Sequence, residues 1–192
     1  VFYFPVNEQL SLKLPTQADR EELYAVVDQN RCHLRPWLPW VDDMKSPDDY
    51  ESIIKKWLNQ YADNQGFQAA MVLEGNIVGM IGFHQLNWLN RQGEIGYWLA
   101  ADQQGKGLAS AAVRALLAIG FEHYGLIRIE IRVAAPNHRS RAIPERLGFR
   151  KEGILKEAAH LYGRFEDIVV YGMTATEYHQ GIGREGAGCN IK

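Results

Sequence analysis

The sequence predicts a mixed α/β fold, with a mostly antiparallel central sheet of about seven strands flanked by about four helices. Three stretches of period-two alternation, at residues 67–74, 78–86 and 94–100, follow one another across short turns, Glu74-Gly75-Asn76 among them, as in an antiparallel meander. Segments of helical apolar spacing lie on either side of the meander, and the order becomes β-α-α-β-β-β-α-β-α-β-β.

Residues 10–14 alternate like a strand, and Thr16 then caps a helix whose apolar face carries Ala18, Leu23, Val26 and Val27. The linker RCHLRPWLPWVDDMK holds two prolines and two tryptophans and is a candidate binding wall; Ser46-Pro47 restarts a helix that runs to about Ala62. After the meander, Leu108, Ala112, Ala115, Leu116, Ile119 and Phe121 are spaced for a buried helix ending near His123, and IRIEIRV at 127–133 reads as a strand. A second strand-to-helix junction follows at residues 137–140. Its helix closes at Arg146-Leu147-Gly148-Phe149 with Gly148 as the C-cap, and two strands around Tyr162-Gly163 complete the sheet by about Tyr178. We expect one domain over residues 1–179 and a flexible Gly-rich tail over 180–192.

The 192 residues are 46% hydrophobic and 23% charged, which suits one substantial core. A net charge of -2 argues against direct nucleic-acid binding. Cys32 and Cys189 are too isolated for a disulfide framework and fit reduced thiols. The start VFYFPV lacks a basic leader, and no stretch approaches the ~18 apolar residues of a membrane span, so a cytoplasmic location without membrane contact is expected. No His-x-x-x-His or Cys-x-x-Cys spacing occurs, so no metal is expected.

At residues 94–110, EIGYWLAADQQGKGLAS, a strand runs into a Gly-rich loop that opens a helix. Gly105 and Gly107 let the backbone approach a ligand, and the first-turn N–H groups and helix dipole favour an anion, so a pyrophosphate ester fits. A plain Gly-rich turn is the competing reading. A dinucleotide fingerprint would need Gly where Ser110 stands, and a Walker loop would need Ser or Thr where Gly107 follows Lys106.

Four pieces in order are the strand RQGEIGYWLA, the loop Gln104-Gly105-Lys106-Gly107-Leu108-Ala109, the segment Asn137-His138-Arg139-Ser140-Arg141-Ala142 and the closing Glu145-Arg146-Leu147-Gly148-Phe149. Together they resemble the GNAT superfamily of acetyl-CoA-dependent N-acetyltransferases, and within it the RimJ/RimL branch that acetylates N-terminal amines of ribosomal proteins. The resemblance spans roughly residues 8–178. It implies the GNAT fold with a sheet splayed at the cofactor site, acetyl-CoA as co-substrate, a ribosomal protein N-terminus as acceptor, and a homodimer, as relatives often form. The backbone amides of Gln104, Gly105, Lys106, Gly107, Leu108 and Ala109, with Ser110 close by, would bind the CoA pyrophosphate. Free backbone groups of Tyr97, Trp98, Leu99 and Ala100 would pair with the pantetheine arm and polarise the thioester carbonyl. Asn137 would contact the cofactor, with an Asx turn capping the helix as a compatible local role.

The family's thiolate-protonating Tyr, five positions before the Phe of the Leu-Gly-Phe close, corresponds here to Pro144. RimL-like members use a Ser nearer the helix start, which Ser140 matches; a plain N-cap is its structural alternative. The RimL-type Glu base falls at Ala159, which leaves Glu94, a base acting through water in other GNAT enzymes, or else a structural carboxylate bonded to loop amides. His160, beside the lost position, titrates in the useful range, although a lone His is more often a surface residue. A strong base is dispensable for an α-amine, whose pKa of about 7.7–8.0 compares with about 10.4 for Lys. Trp37, Trp40 and Trp88, with Tyr97, are candidates to frame the acceptor slot, against core or dimer packing. No Cys lies near the motifs, so the expected reaction is direct attack without an acyl-enzyme. Two rivals remain, acetylation of a small amine and a catalytically silent acyl-CoA-binding module that Pro144 and Ala159 leave open.

Overall fold

Eight strands form one sheet in the order β1-β2-β3-β4-β5-β6-β8-β7 in the computed structural model, which describes residues 2–181. The strands are β1 Tyr3–Pro5, β2 Leu10–Lys13, β3 Phe67–Leu73, β4 Asn76–Asn87, β5 Gln92–Leu99, β6 Arg128–Ala134, β7 Arg150–Leu161 and β8 Arg164–Thr174. Every neighbouring pair is antiparallel except β5 and β6. The meander expected between residues 67 and 100 is β3-β4-β5. One strand exceeds the expected set: β1 adds to the sheet edge beside β2, where Pro5, lacking an N–H, is tolerated. The expected tail lies outside the described residues from 182 onward, Cys189 with it.

The helices are α1 Arg20–Gln29, α2 Arg31–Leu34, α3 Asp49–Ala62, α4 Leu108–Ala118, α5 His138–Arg146 and α6 Ala175–His179, and α4 runs on into a π-helical turn at Ile119–His123. The four long ones are those the sequence predicts, α1 and α4 from apolar spacing and α3 and α5 from their start and stop signals. The two short ones are too brief to show a period, yet α6 carries a legible start: Thr174 and Glu177 form a reciprocal capping box.

Alternate residues of the same strands enter cores on opposite faces of the sheet, as period-two geometry requires. Met71, Ile81, Phe83 and Ile95 pack with Leu116 and Leu117 of α4, while Ala70, Val72 and Met80 pack with Leu23 and Val27 of α1 and Ile54 of α3. Helices on both faces therefore hold β5 centrally.

The parallel pair β5–β6 is short. Its register runs only through Gln92↔Arg128, Gly93↔Ile129, Glu94↔Glu130 and Ile95↔Ile131, after which residues 96–99 have no partner on that side. β8 stays with β6 as far as Ala134↔Ile168, and the β7–β8 hairpin then continues beyond it. At the hairpin turn the Tyr162 hydroxyl donates to the Leu38 carbonyl at 2.9 Å, and the Arg35 guanidinium stacks 3.9 Å from the Tyr162 ring centroid. The splay between β5 and β6 is thus flanked by an arm anchored to the α2 linker.

Candidate active site

At the open end of β5 the chain turns through a 3₁₀ turn at Ala101–Gln103 into α4. Gly105 and Gly107 have φ of 75° and 77°, and a Cβ at either would meet no atom within 4 Å. Glycine is needed there for backbone conformation, while the space above stays open for a ligand. Gly107 is the N-cap of α4 and supplies no side-chain cap; the first helical bond is Ala111 N–H to the Gly107 carbonyl, so the amides of Leu108, Ala109 and Ser110 have no acceptor within the helix. The Gln104 side chain ties the loop to both sides, 3.0 Å from His33 Nε2 and accepting from Arg139 at 2.6 Å. Lys106 reaches only Gln103, at 2.9 Å. Residues 96–99 add an unpaired strand edge, but Ala100 does not share in it: its N–H donates to Val78 at 2.8 Å and its carbonyl accepts from Gln103 at 3.1 Å. Uncapped amides, an open glycine ridge and a free strand edge together fit a pyrophosphate joined to a linear amide-bearing arm.

Helix α5 closes the other side. Asn137 is its N-cap, accepting from Ser140 N–H at 3.2 Å, so Ser140 stands inside the first turn and is not itself the cap. Pro144 sits within the helix and has no N–H, which strips the Ser140 carbonyl of its i+4 donor. The Tyr97 hydroxyl takes that place, donating to Ser140 O at 3.0 Å, while Ser140 Oγ lies 3.4 Å from Tyr97 Oη. Burial raises the Tyr97 pKa, so the phenol remains a proton donor throughout the neutral range. Pro144 thereby creates a vacancy that couples β5 to α5 at Ser140. The sequence reading gave the Tyr97 ring a place beside the acceptor slot and its backbone a place along the cofactor, but did not foresee its hydroxyl bonding Ser140.

Glu94 lies on β5 at the last-but-one pair before the splay, and its carboxylate accepts no hydrogen bond from any described residue. The loop-amide alternative is thus not realised. Its nearest cation is Arg132, at 3.6 Å. Burial pushes the Glu94 pKa up, Arg132 opposes this, and Glu130 adds to the rise. Arg132 is held mainly by Glu130 at 2.7 Å, and Arg128 then bridges Glu130 and Glu152, so Glu94 ends an alternating row of charges across the sheet face.

The tryptophans do not form one wall. Trp40 packs on Trp98 with centroids 6.2 Å apart, and both join the core on the α1–α3 face. Trp37 is half-buried in the adjoining linker. Trp88 is drawn elsewhere, its indole N–H bonded to the Asn64 carbonyl and its ring edge-on to Tyr124 at 5.7 Å, so the structure does not seat it with the other two. Ala159 and exposed His160 lie on the arm, where His160 stacks against Phe165 with centroids 4.8 Å apart. Among the described residues no group of three or more His, Cys, Asp or Glu is placed to hold a metal, and no helix is long and apolar enough to cross a membrane.

Residues 9–150 match the acetyltransferase (GNAT) domain family. The chain belongs to the GNAT family. It is 38% identical over 179 residues to YdaF of Bacillus subtilis, named as a candidate ribosomal N-acetyltransferase, covering 93% of this chain and 98% of that one. It is 30% identical over 172 residues to the ribosomal-protein-serine acetyltransferase of Escherichia coli, covering 86% and 93%. The solved structure of the microcin C7 self-immunity acetyltransferase MccE, in complex with acetyl-CoA and AMP, matches with a TM-score of 0.84 at 28% identity, covering 88% of this chain and 94% of that one. This GNAT enzyme is therefore an acyltransferase of the RimJ/RimL-like branch that uses acetyl-CoA.

Two outcomes follow from the geometry of the GNAT site. Gly107→Ala places a side chain at positive φ, a strain of about 1–2 kcal/mol that the free loop relaxes and CoA must restore, so calorimetry should show CoA binding weakened by roughly 5- to 30-fold. Tyr97→Phe orphans the Ser140 carbonyl and should cost about 1–3 kcal/mol in urea unfolding. Pro144→Ala restores an N–H and should recover much of that loss; strictly additive effects in the double variant would refute the coupling.

Proposed function

We propose that this enzyme transfers the acetyl group of acetyl-CoA to the N-terminal α-amine of a protein, with a ribosomal protein as the leading acceptor. The observation that carries this reading is the near full-length likeness to two relatives named for ribosomal substrates, at 38% and 30% identity. Such an acceptor places the reaction in the cytoplasm.

In this reading the amides of residues 105–109 hold the pyrophosphate, the Gln104 N–H being taken by the Ala101 carbonyl at 3.4 Å, and the free edge of β5 orders the pantetheine arm so that a strand N–H polarises the thioester carbonyl. Asn137 keeps its cap and lends its amide nitrogen to the cofactor. Glu94 serves as the base, reached through an intervening group; burial raises its pKa and so brings its proton affinity nearer that of the α-amine. The amine attacks directly, the C–S bond breaks, and Ser140 protonates the departing thiolate. A thiol with pKa near ~8.5 needs only this weak donor, which Tyr97 orients. Trp37 and Trp40 border the acceptor's approach.

Free-thiol release from acetyl-CoA should be fastest with N-terminal peptides of ribosomal proteins, slower with Lys peptides and slower still with polyamines. Turnover of polyamines alone would favour the small-amine reading, and CoA binding without turnover of any amine would leave a silent binding module. Glu94→Gln should lower kcat/KM at neutral pH by roughly 10- to 100-fold. Because folding raises the pKa of Glu94, its ionised form costs stability above its unfolded pKa, and the Gln variant should melt no lower than the parent at pH 7. Ser140→Ala should slow kcat about tenfold or more with unchanged CoA affinity; an equal loss of melting temperature would mark it as structural.

A further inference from the structure

Strand β4 carries an extra residue at the point where it faces Glu94. Phe83 pairs with Ile95 and Gln85 with Glu94, so His84 is left opposite no residue of β5. The bulge is supported from α3: the Gln60 side-chain amide donates to the His84 carbonyl at 2.8 Å and to the Phe83 carbonyl at 3.4 Å, supplying donors the ladder lacks there. Gly66 makes room for this contact, since a Cβ there would come within 2.3 Å of Phe83 O and 2.7 Å of Gln60 Nε2.

A bulge re-aims a side chain, and here it lays the imidazole over Gly96, where a Cβ would meet its Cε1 at 1.9 Å and its Nε2 at 2.3 Å. Alternate residues of a strand share a face, so the ring occupies the site between Glu94 and Trp98, at the first residue of β5 beyond its pairing with β6. Neither ring nitrogen is hydrogen-bonded to a described residue. The charged groups on this face are Glu94 on β5, then Arg132, Glu130 and Arg128 on β6 and Glu152 on β7; α3 presents the neutral Gln60 amide. The His84 side chain is open to solvent on one side, while the protein packed around its ring disfavours the charged form and lowers its pKa; with no hydrogen bond to a described residue, a ring nitrogen is free to accept.

Resting on the acetyltransferase reading above, we propose that His84 is the group through which Glu94 removes the proton from the acceptor ammonium. One ring nitrogen accepts that proton while the other passes its own to the Glu94 carboxylate through a bridging water, since two strand positions span about 7 Å and the two side chains share no direct hydrogen bond. The neutral amine then forms the C–N bond to the thioester carbonyl carbon as the C–S bond breaks. Of the three ammonium protons, one leaves through His84 and Glu94 to solvent, one reaches the thiolate by way of Ser140, and one stays on the amide nitrogen.

The test is the pH profile of kcat/KM for the wild-type chain, His84→Gln and His84→Asn with the best N-terminal peptide, alongside CoA affinity by calorimetry. An enzyme that deprotonates its acceptor keeps its rate below the amine pKa of about 7.7–8.0, whereas one that waits for free amine loses about tenfold per pH unit. Wild type should hold its kcat/KM towards pH 6. Both variants should fall with that slope, approach wild type within about threefold at pH 9, and bind CoA within twofold of wild type. Profiles parallel to wild type, whether superimposed or uniformly lowered, overturn the role of His84 alone. Absence of turnover by the wild-type chain overturns the acetyltransferase reading and this role together.

Discussion

Everything chemical in this molecule is arranged around the point where two parallel strands part. β5 and β6 share four residue pairs and then diverge, and a sheet that stops pairing in its middle exposes amides and carbonyls that must find other partners. A linear ligand bearing amides is one such partner, and the adjoining loop offers the uncapped helix terminus that its phosphates require. Opening the sheet carries a structural cost, and the surrounding elements offset it. The Tyr97 hydroxyl fastens β5 to α5 on one side, and the Tyr162 turn fastens the β7–β8 arm to the α2 linker on the other.

Pro144 illustrates how a local defect becomes a tertiary constraint. A proline inside a helix ordinarily weakens it by removing a donor from the carbonyl one turn earlier. Here that carbonyl belongs to Ser140 and is satisfied from the strand, so the geometry of the proposed acid depends on a residue that cannot itself donate a proton. The sheet face behaves similarly. Glu94 is the last carboxylate in a row that continues through Arg132, Glu130, Arg128 and Glu152, and its proton affinity reflects burial set against a cation shared with Glu130.

Much of this was legible from residue order. Period-two alternation marked the meander and helical spacing marked α1 and α4, because both signals repeat often enough to stand above chance, while Ser46-Pro47 and Gly148 marked an end of α3 and of α5. The Gly-rich turn at residues 104–109 was legible as a loop opening a helix, and both of its glycines take positive φ in the structure. Short elements escaped, since α2 and α6 have four and five residues and no period to detect. The bulge at His84 did leave a trace: buried Ile81 and Phe83 keep one phase of the alternation and buried Leu86 the other, and a single extra residue produces that shift. Trp37, Trp40 and Trp88 formed one group in the sequence only because aromatic side chains look alike there, and separate hydrogen-bonding and stacking partners divide them in space.

The sequence by itself determined the succession of the long helices and of seven of the eight strands, the Gly-rich turn that opens α4, and the family, all of which rest on patterns within a few dozen consecutive residues. Tertiary structure alone decided where β5 leaves β6, which hydroxyl completes the Ser140 carbonyl, and which side chains share the face of Glu94. Those outcomes depend on contacts between residues tens of positions apart, Tyr97 with Ser140 and Tyr162 with Leu38 among them. Hydrogen-bond satisfaction across such distances leaves no periodic mark on the chain, because any donor of suitable reach can fill the vacancy once the fold brings it near.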